Sequence, residues 1–311
     1  MTEKLGGEGN TEFDTIRSLL ARWGPLAEGV GDDAALVRAP RGDTIVVSVD
    51  DHIEGRHFRR EWLSPREIGY RAVAAALSDL AAMAARPAGV LVAFGVPRGW
   101  RESLMDIADG IGDAVKSVRT KILGGNLSDA GALSITTTVL GSAFAPLRRS
   151  GARAGDSVYV TGRLGAPTLA IAARRAGRVP NDLVRARLAR PTPRIFEAIW
   201  LADHGASACI DISDGLAADA SHVVAASGVS IVIDVRRIPC VDGASPADAL
   251  ASGEEYELMV TAPRGVNVEE FARRFSVPLT EIGRVDQGTP GVLLDDAGKR
   301  VAPPKGYDHF S

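Results

Sequence analysis

Four short stretches of the chain set carboxylates beside turn-forming residues: Gly31-Asp32-Asp33, Ser48-Val49-Asp50-Asp51, Ser78-Asp79-Leu80 and Asp211-Ile212-Ser213-Asp214-Gly215. Each falls at the end of an expected strand or on a helix with apolar neighbours, where an unpaired carboxylate is costly to bury. A cation must lie near them. Few arginines adjoin these motifs, whereas a hard divalent ion held by oxygen ligands meets the need. Mg²⁺ shared between carboxylates and substrate phosphates is the usual arrangement for phosphoryl transfer. A helix cap or a turn accounts for any one of these aspartates taken alone, and it is their recurrence that points to a metal-assisted phosphate site.

The two commonest phosphate cradles, GxxxxGK[ST] and GxGxxG opening a helix after a strand, are missing from the sequence. The pair Gly124-Gly125 before Asn126 would let main-chain N–H groups approach a phosphate, and a plain turn explains it nearly as well. Arg148 and Arg149 suit a nucleotide phosphate or simple solvation, and His57, between Arg56 and Phe58, suits a substrate phosphate or a structural role. Glu254 and Glu255 stand directly before an expected strand that includes Glu257, where a substrate contact and an ordinary polar loop are about equally good readings.

Positioning such residues takes a framework. The β-branched run at 44–49 predicts a strand that ends on Asp50 and Asp51, and Pro65 opens a long Ala/Leu-rich helix predicted over 65–85, halted by Arg86-Pro87. Ile68, Val73, Ala76, Leu77, Leu80 and Met83 form one apolar stripe on it, with Asp79 close by. Strands at 90–96 and 133–140 flank a helix-like segment at 102–117. The turn-rich RRSGARAGD marks a boundary near 150, beyond which strands at 157–161, 207–212, 229–235 and 256–261 alternate with helices at 168–176, 194–204, 216–226 and 268–275. The expectation is an α/β (α+β) protein of two domains, 1–149 and 150–311.

At 311 residues and 45% hydrophobic the chain can bury a substantial core, and a net charge of -3 with mixed signs argues against nucleic acid as a partner. No apolar run approaches the roughly 20 residues that span a bilayer, and residues 1–10 are polar, so a cytoplasmic protein without membrane partners is expected. Cys209 and Cys240 fit neither a CxxC pair nor a zinc spacing and are expected to be buried thiols.

Read in order, GVGDDAALV, SVDDHIEGRHF, LSDLAAMAARP, GGNLSDA, RRSGARAGD, ISDGLAADA, SGEEYELMV and GYDHF resemble the motifs of thiamine-monophosphate kinases from about residue 29 to 310. The resemblance implies the PurM-like superfamily that includes aminoimidazole ribonucleotide synthetase and selenophosphate synthetase. It implies a first domain that binds ATP and metal and pairs with its twofold mate into a shared β-barrel, and a second α/β domain that completes the nucleotide and substrate cleft. It implies a homodimeric kinase that uses several Mg²⁺ ions to move the γ-phosphate of ATP onto thiamine monophosphate, in line and without a covalent nucleophile on the enzyme.

Carried over, the metal ligands are Asp33, Ser48, Asp50, Asp79, Asn126, Asp211 and Asp214. The ATP contacts are Gly125, Asn126, Arg149 and Ser213, and the thiamine-phosphate contacts His57 and Glu254. Departures are Asn126 in place of Asp, Asp51 for Thr, His52 for an apolar residue, Glu255 for Asp, and Pro304 where an aromatic often stacks. Asp51 is expected to return the charge lost at Asn126. Asn126 and Pro304 also leave room for a paralogue that binds nucleotide without efficient catalysis, and His52 and Pro304 for an ATP-dependent enzyme with another small acceptor.

Overall fold

The computed structural model describes residues 18–19, 21–27, 42–301 and 303–304, so Asp33 and the motif around it lie outside the described residues. The chain divides into two compact units. One comprises Val47–Ala76 and Pro87–Leu140 with the described part of Met1–Ala39, and the other comprises Leu77–Arg86 with the described parts of Pro40–Val46 and Gly141–Ser311.

The first unit is built on a four-stranded sheet of β1 (Thr44–Ile53), β2 (Arg86–Gly95), β3 (Ile122–Ser128) and β4 (Ser134–Ala143), ordered β1-β4-β2-β3. The sheet is open: the described residues of one chain make no closed barrel. The Gly124-Gly125 pair is not a turn but lies inside β3, where Gly125 pairs with Val92 of β2 in parallel register. A Cβ at Gly125 would sit 1.9 Å from the Val92 carbonyl oxygen, so the tight strand pairing itself demands glycine.

Helix α1 (Pro65–Ala82) starts at its proline and is sealed by Ser64, whose backbone N–H donates to Glu67 while the Glu67 N–H donates to Ser64 Oγ. It is buried almost all round from Ile68 to Ser78 rather than along one stripe, which its run of alanines permits. The helix stops at Ala82 because Ala84 turns left-handed at φ 51°. Helix α2 (Leu104–Ser117) meets α1 backbone to backbone. A Cβ at Gly110 would fall 1.8 Å from the Arg66 carbonyl oxygen, and one at Gly69 2.0 Å from that of Ile107.

The second unit carries a seven-stranded sheet of β5 (Ser157–Thr161), β6 (Ala208–Asp211), β7 (Ser230–Asp234), β8 (Leu258–Ala262), β9 (Leu279–Asp286), β10 (Gly291–Asp296) and β11 (Lys299–Val301), in the order β11-β10-β7-β9-β5-β8-β6. β7 and β10 run parallel, and the other described pairs of this sheet run antiparallel. Its helices are α3 (Ala166–Arg175), α4 (Asp182–Ala189), α5 (Ile195–Asp203), α6 (Leu216–Ser227), α7 (Pro246–Ala251) and α8 (Val268–Phe275). Val158, Val160, Ile210, Ile231, Ile233 and Met259 from the strands close on Leu216, Ala220 and Val223 of α6 to make the core. Cys209 is buried as expected, whereas Cys240 is half-buried, its thiol facing the Ile238 carbonyl. Among the described residues no helix is long and apolar enough to cross a membrane.

The α1–α2 crossing makes a signed prediction. Alanine improves an isolated helix over glycine by about 1 kcal/mol, so Gly110→Ala would stabilise if the helix were free. Here the methyl has no space, and a lower melting temperature is expected by calorimetry; an unchanged or higher one would rule out the close crossing.

Candidate functional site

In the first unit, strand alternation decides which β1 side chains share a face. Ser48, Asp50 and His52 are the more covered set, while Val47, Val49 and Asp51 alternate with them and are exposed. Asp50 Oδ1 accepts the Asp51 N–H at 2.8 Å, and its other oxygen lies 4.0 Å from His52 Nδ1. Burial, with help from the neighbouring Arg71 and His57, holds the His52 imidazole well below its ordinary pKa, so it is neutral and gives Asp50 no counter-charge. The expectation for Asp51 is corrected. Its carboxylate is on the opposite face, accepting a hydrogen bond from Thr136 Oγ1, and so does not make up charge beside Ser48 and Asp50.

His57 sits on a tight loop in which the Arg56 and His57 N–H groups both donate to the Ile53 carbonyl, at 3.1 and 3.0 Å. The Ile53 N–H donates to His57 Nδ1 at 3.0 Å, which puts the proton of the neutral ring on Nε2 and makes that atom a donor suited to a phosphate oxygen. Glu54 on the same loop accepts the Trp100 indole N–H at 2.8 Å. Gly125 and Asn126 lie on β3, at the opposite edge of the sheet from β1. Three strand spacings amount to about 14 Å, so no single ion bridges Asp50 and Asn126 within one copy of the sheet.

The second unit gathers its acids more tightly. Asp211 is the last residue of β6 and is buried; it accepts a hydrogen bond from the buried Ser78 hydroxyl at 2.8 Å, at the end of α1. Burial first, and then the Asp79 carboxylate, push the Asp211 pKa up to about 7, against the pull of Ser78 and Arg149. Two acids so placed in poor solvent are a hard oxygen donor set, and the pair fits a divalent ion such as Mg²⁺. Arg149 is exposed on a short 3-10 turn, Arg149–Gly151, whose Arg149 carbonyl accepts from Ser227 Oγ at 2.7 Å.

Between β6 and α6 the loop Ser213-Asp214-Gly215 is fixed by a residue the motif reading passed over. A single oxygen of the buried Asp219 accepts the N–H groups of Ser213, Asp214 and Gly215, each at 3.1 Å. Burial and Asp211 raise the Asp219 pKa to about 7 despite these donors. Asp214, Asp219 and the exposed His222 bring ligand-type atoms within 4.8 Å of one another. The available signal was an acid in the first turn of α6, which complements a helix start, with His222 one turn on.

Glu254 meets this loop directly, its N–H donating to the Ser213 carbonyl at 2.7 Å. Glu254 and Tyr256 both adopt left-handed backbone, at φ 58° and 53°, a strain of roughly 1–3 kcal/mol each for such residues. Glu255, between them, is buried and accepts the N–H of Gly165 ahead of α3. Asp79, Arg149, Asp211, Ser213, Asp214 and Glu254 thus belong to one unit, and Ser48, Asp50, His57, Gly125 and Asn126 to the other.

The sequence matches the family models described as AIR synthase related protein, N-terminal domain, over residues 31–143, and AIR synthase related protein, C-terminal domain, over residues 153–295. That match and the mixed architecture define the class as a PurM-like two-domain α/β protein. The thiamine-monophosphate kinase of Escherichia coli (strain K12) is 37% identical over 323 residues, covering 96% of each chain. Among solved structures, the thiamine-monophosphate kinase from Stenotrophomonas maltophilia K279a superposes with a TM-score of 0.81 at 32% identity, over 92% of this chain and 96% of that one. AaThiL complexed with AMPPCP and TMP superposes at 0.78 and 29% identity, over 99% and 100%. The chain belongs to the thiamine-monophosphate kinase family.

Asp211 yields a pH-dependent prediction. A carboxyl raised from 3.8 to about 7 on folding lowers stability increasingly above pH 3.8, and reaches its full cost above pH 7, where it ionises in place. Asp211→Asn is therefore expected to raise the melting temperature in EDTA by several degrees at pH 8.5 and by little at pH 4, and to abolish stabilisation by added Mg²⁺. A pH-independent shift, or full Mg²⁺ stabilisation of the variant, would refute the assignment.

Proposed function

We propose that this chain is a Mg²⁺-dependent kinase that transfers the γ-phosphate of ATP to thiamine monophosphate, giving thiamine diphosphate and ADP. The observation that carries the reading is the buried Asp211, held by Ser78 beside Asp79 and followed by the Asp219-fixed loop, in a chain akin to AaThiL, which was solved with AMPPCP and TMP. Asp33, Ser48, Asp50, Asp79, Asn126, Asp211 and Asp214 are assigned to metal. Gly125, Asn126, Arg149 and Ser213 are assigned to ATP, and His57 and Glu254 to the acceptor.

Several Mg²⁺ ions, when bound, neutralise the crowded phosphate oxygens. The acceptor is itself a phosphate with a second pKa near 6, so its attacking oxygen is already anionic at neutral pH and needs no general base. A new P–O bond forms from that oxygen to the γ-phosphorus while the bond from the γ-phosphorus to the β,γ-bridging oxygen breaks, and ADP leaves. His57 Nε2–H donates to an acceptor phosphate oxygen, Glu254 offers a carboxylate to the cationic thiamine moiety, and Arg149 and Ser213 hold the nucleotide phosphates. The protein's contribution is positioning and charge compensation, in keeping with the lack of a covalent nucleophile.

Residues 1–149 are proposed as the ATP- and metal-binding and dimerisation domain and residues 150–311 as the domain completing the substrate site, in a cytoplasmic homodimer. The support for a dimer is on β1, an edge strand whose Ile45, Val47 and Val49 are 46%, 58% and 62% exposed, a row of apolar side chains unusual on an unpartnered edge. Closing two such sheets about a twofold axis into one barrel would pair the exposed edge strands of the two copies, β1 among them.

Incubating the protein with Mg-ATP and thiamine monophosphate should yield thiamine diphosphate and ADP in equal amounts. ADP alone, or nucleotide binding without turnover, would overturn the reading. Asp79→Asn should leave the fold intact and cut kcat by about two orders of magnitude or more. Val47→Lys with Val49→Lys should shift the sedimentation mass from dimer to monomer, and a wild-type monomer at micromolar concentration would defeat the dimer proposal.

A further inference from the structure

Acid–base chemistry hidden beneath the Glu254 turn has no part in the roles assigned so far. Glu257, just before β8, is 1% exposed, accepts hydrogen bonds from Thr161 Oγ1 at 2.6 Å, Arg194 Nε at 2.8 Å and Arg194 Nη2 at 2.5 Å, and is ion-paired with Arg187 Nη2 at 2.6 Å. Arg194 also reaches Glu197 at 3.2 Å. Arg187 lies 3.7 Å from Glu255 and donates to the Arg163 carbonyl at 3.3 Å. Burial opposes ionisation of Glu257, and the two guanidinium groups overcome it, holding the carboxyl at about 2; burial raises Glu255 to about 7. A buried ion pair of this kind is a poor source of net stability, yet it fixes geometry.

What it fixes is visible in the backbone. Left-handed backbone at Glu254 and Tyr256 alternates with the buried, anchored Glu255 and Glu257. The turn is stitched to the metal and nucleotide loop by three main-chain bonds: Glu254 N–H to Ser213 O at 2.7 Å, Tyr256 N–H to Ile212 O at 3.0 Å, and Ile212 N–H to Glu257 O at 2.8 Å. Thr161 Oγ1 closes the end of the turn by accepting the Leu258 N–H at 2.8 Å. Two anchored carboxylates thus flank Tyr256 and follow Glu254, the two residues whose left-handed backbone is unfavourable for their type.

We infer that Arg187, Arg194, Glu255 and Glu257 are positioning residues that clamp the strained turn and so aim Glu254 at the acceptor, in register with the loop carrying Ser213 and Asp214. The inference rests on the reading of Glu254 as an acceptor contact. Arg187 is the informative member, being 25% exposed and the group that touches both anchors.

The test is steady-state kinetics of the full-length protein well below its melting temperature, together with amide hydrogen exchange. Arg187→Met is expected to raise KM for thiamine monophosphate about tenfold with KM for ATP little changed, and Arg187→Lys to recover part of the loss. Exchange at the Glu254 and Tyr256 amides should quicken at least tenfold while the β5–β8 amides keep their protection. Glu255→Gln preserves side-chain length and should act in the same direction more weakly, which keeps the test open if Arg187→Met fails to fold. Unchanged exchange at these two amides, or a lower melting temperature with unaltered KM, overturns the clamp. Glu254→Gln separates the two ideas. If it leaves the acceptor KM unaltered, the acceptor reading falls and this role of the clamp with it. If it raises KM while Arg187→Met does not, the clamp alone falls.

Discussion

The organising constraint in this molecule is the cost of holding negative charge away from water. Asp211 stands buried at the end of β6, holding a serine hydroxyl, with a second carboxylate, Asp79, beside it and the Arg149 charge only partly offsetting the two. Such an arrangement is poor for folding and well suited to a cation, because a divalent ion would offset charge that the fold leaves uncompensated. A site that keeps its acids ready for metal can gather polyphosphate at neutral pH without a covalent intermediate.

Around that constraint the second unit uses buried side chains to control main chain. Asp219 spends one oxygen on three successive N–H groups and thereby sets the path of the Ser213-Asp214-Gly215 loop. Glu255 and Glu257 do the corresponding work from beneath the facing turn. Both devices set Ser213, Asp214 and Glu254 on main chain pinned by buried carboxylates, which is how a loop achieves the precision of a strand.

Much of this was legible in the residues, and the gaps have physical causes. The β-branched run at Ser157–Thr161 and the sharply amphipathic α8 stand where periodicity puts them. β3 was concealed by its two glycines, which read as a turn until the closeness of Val92 is known. β9, although central in its sheet, mixes Thr280, Glu281, Gly283 and Arg284 into its length and shows no clean alternation. The short α4 and α7 lack the length for a periodic signal. Motif order pointed to the acids of the second unit, whose meeting needs only Ser78 and Asp211 to come together. It could not show that Asp51 faces the other way, which depends on strand phase, nor that Glu255 and Glu257 are buried, which depends on arginines some sixty residues upstream.

The path of the chain through the two units has a topological corollary. Pro40–Val46 and Leu77–Arg86 are counted with the second core although the sequence on either side of them builds the first, and α1 passes from one to the other near Leu77. No single cut in the polypeptide therefore separates the halves. A cut at residue 150 would leave Ser78 and Asp79 on one fragment and Asp211, the partner of Ser78, on the other.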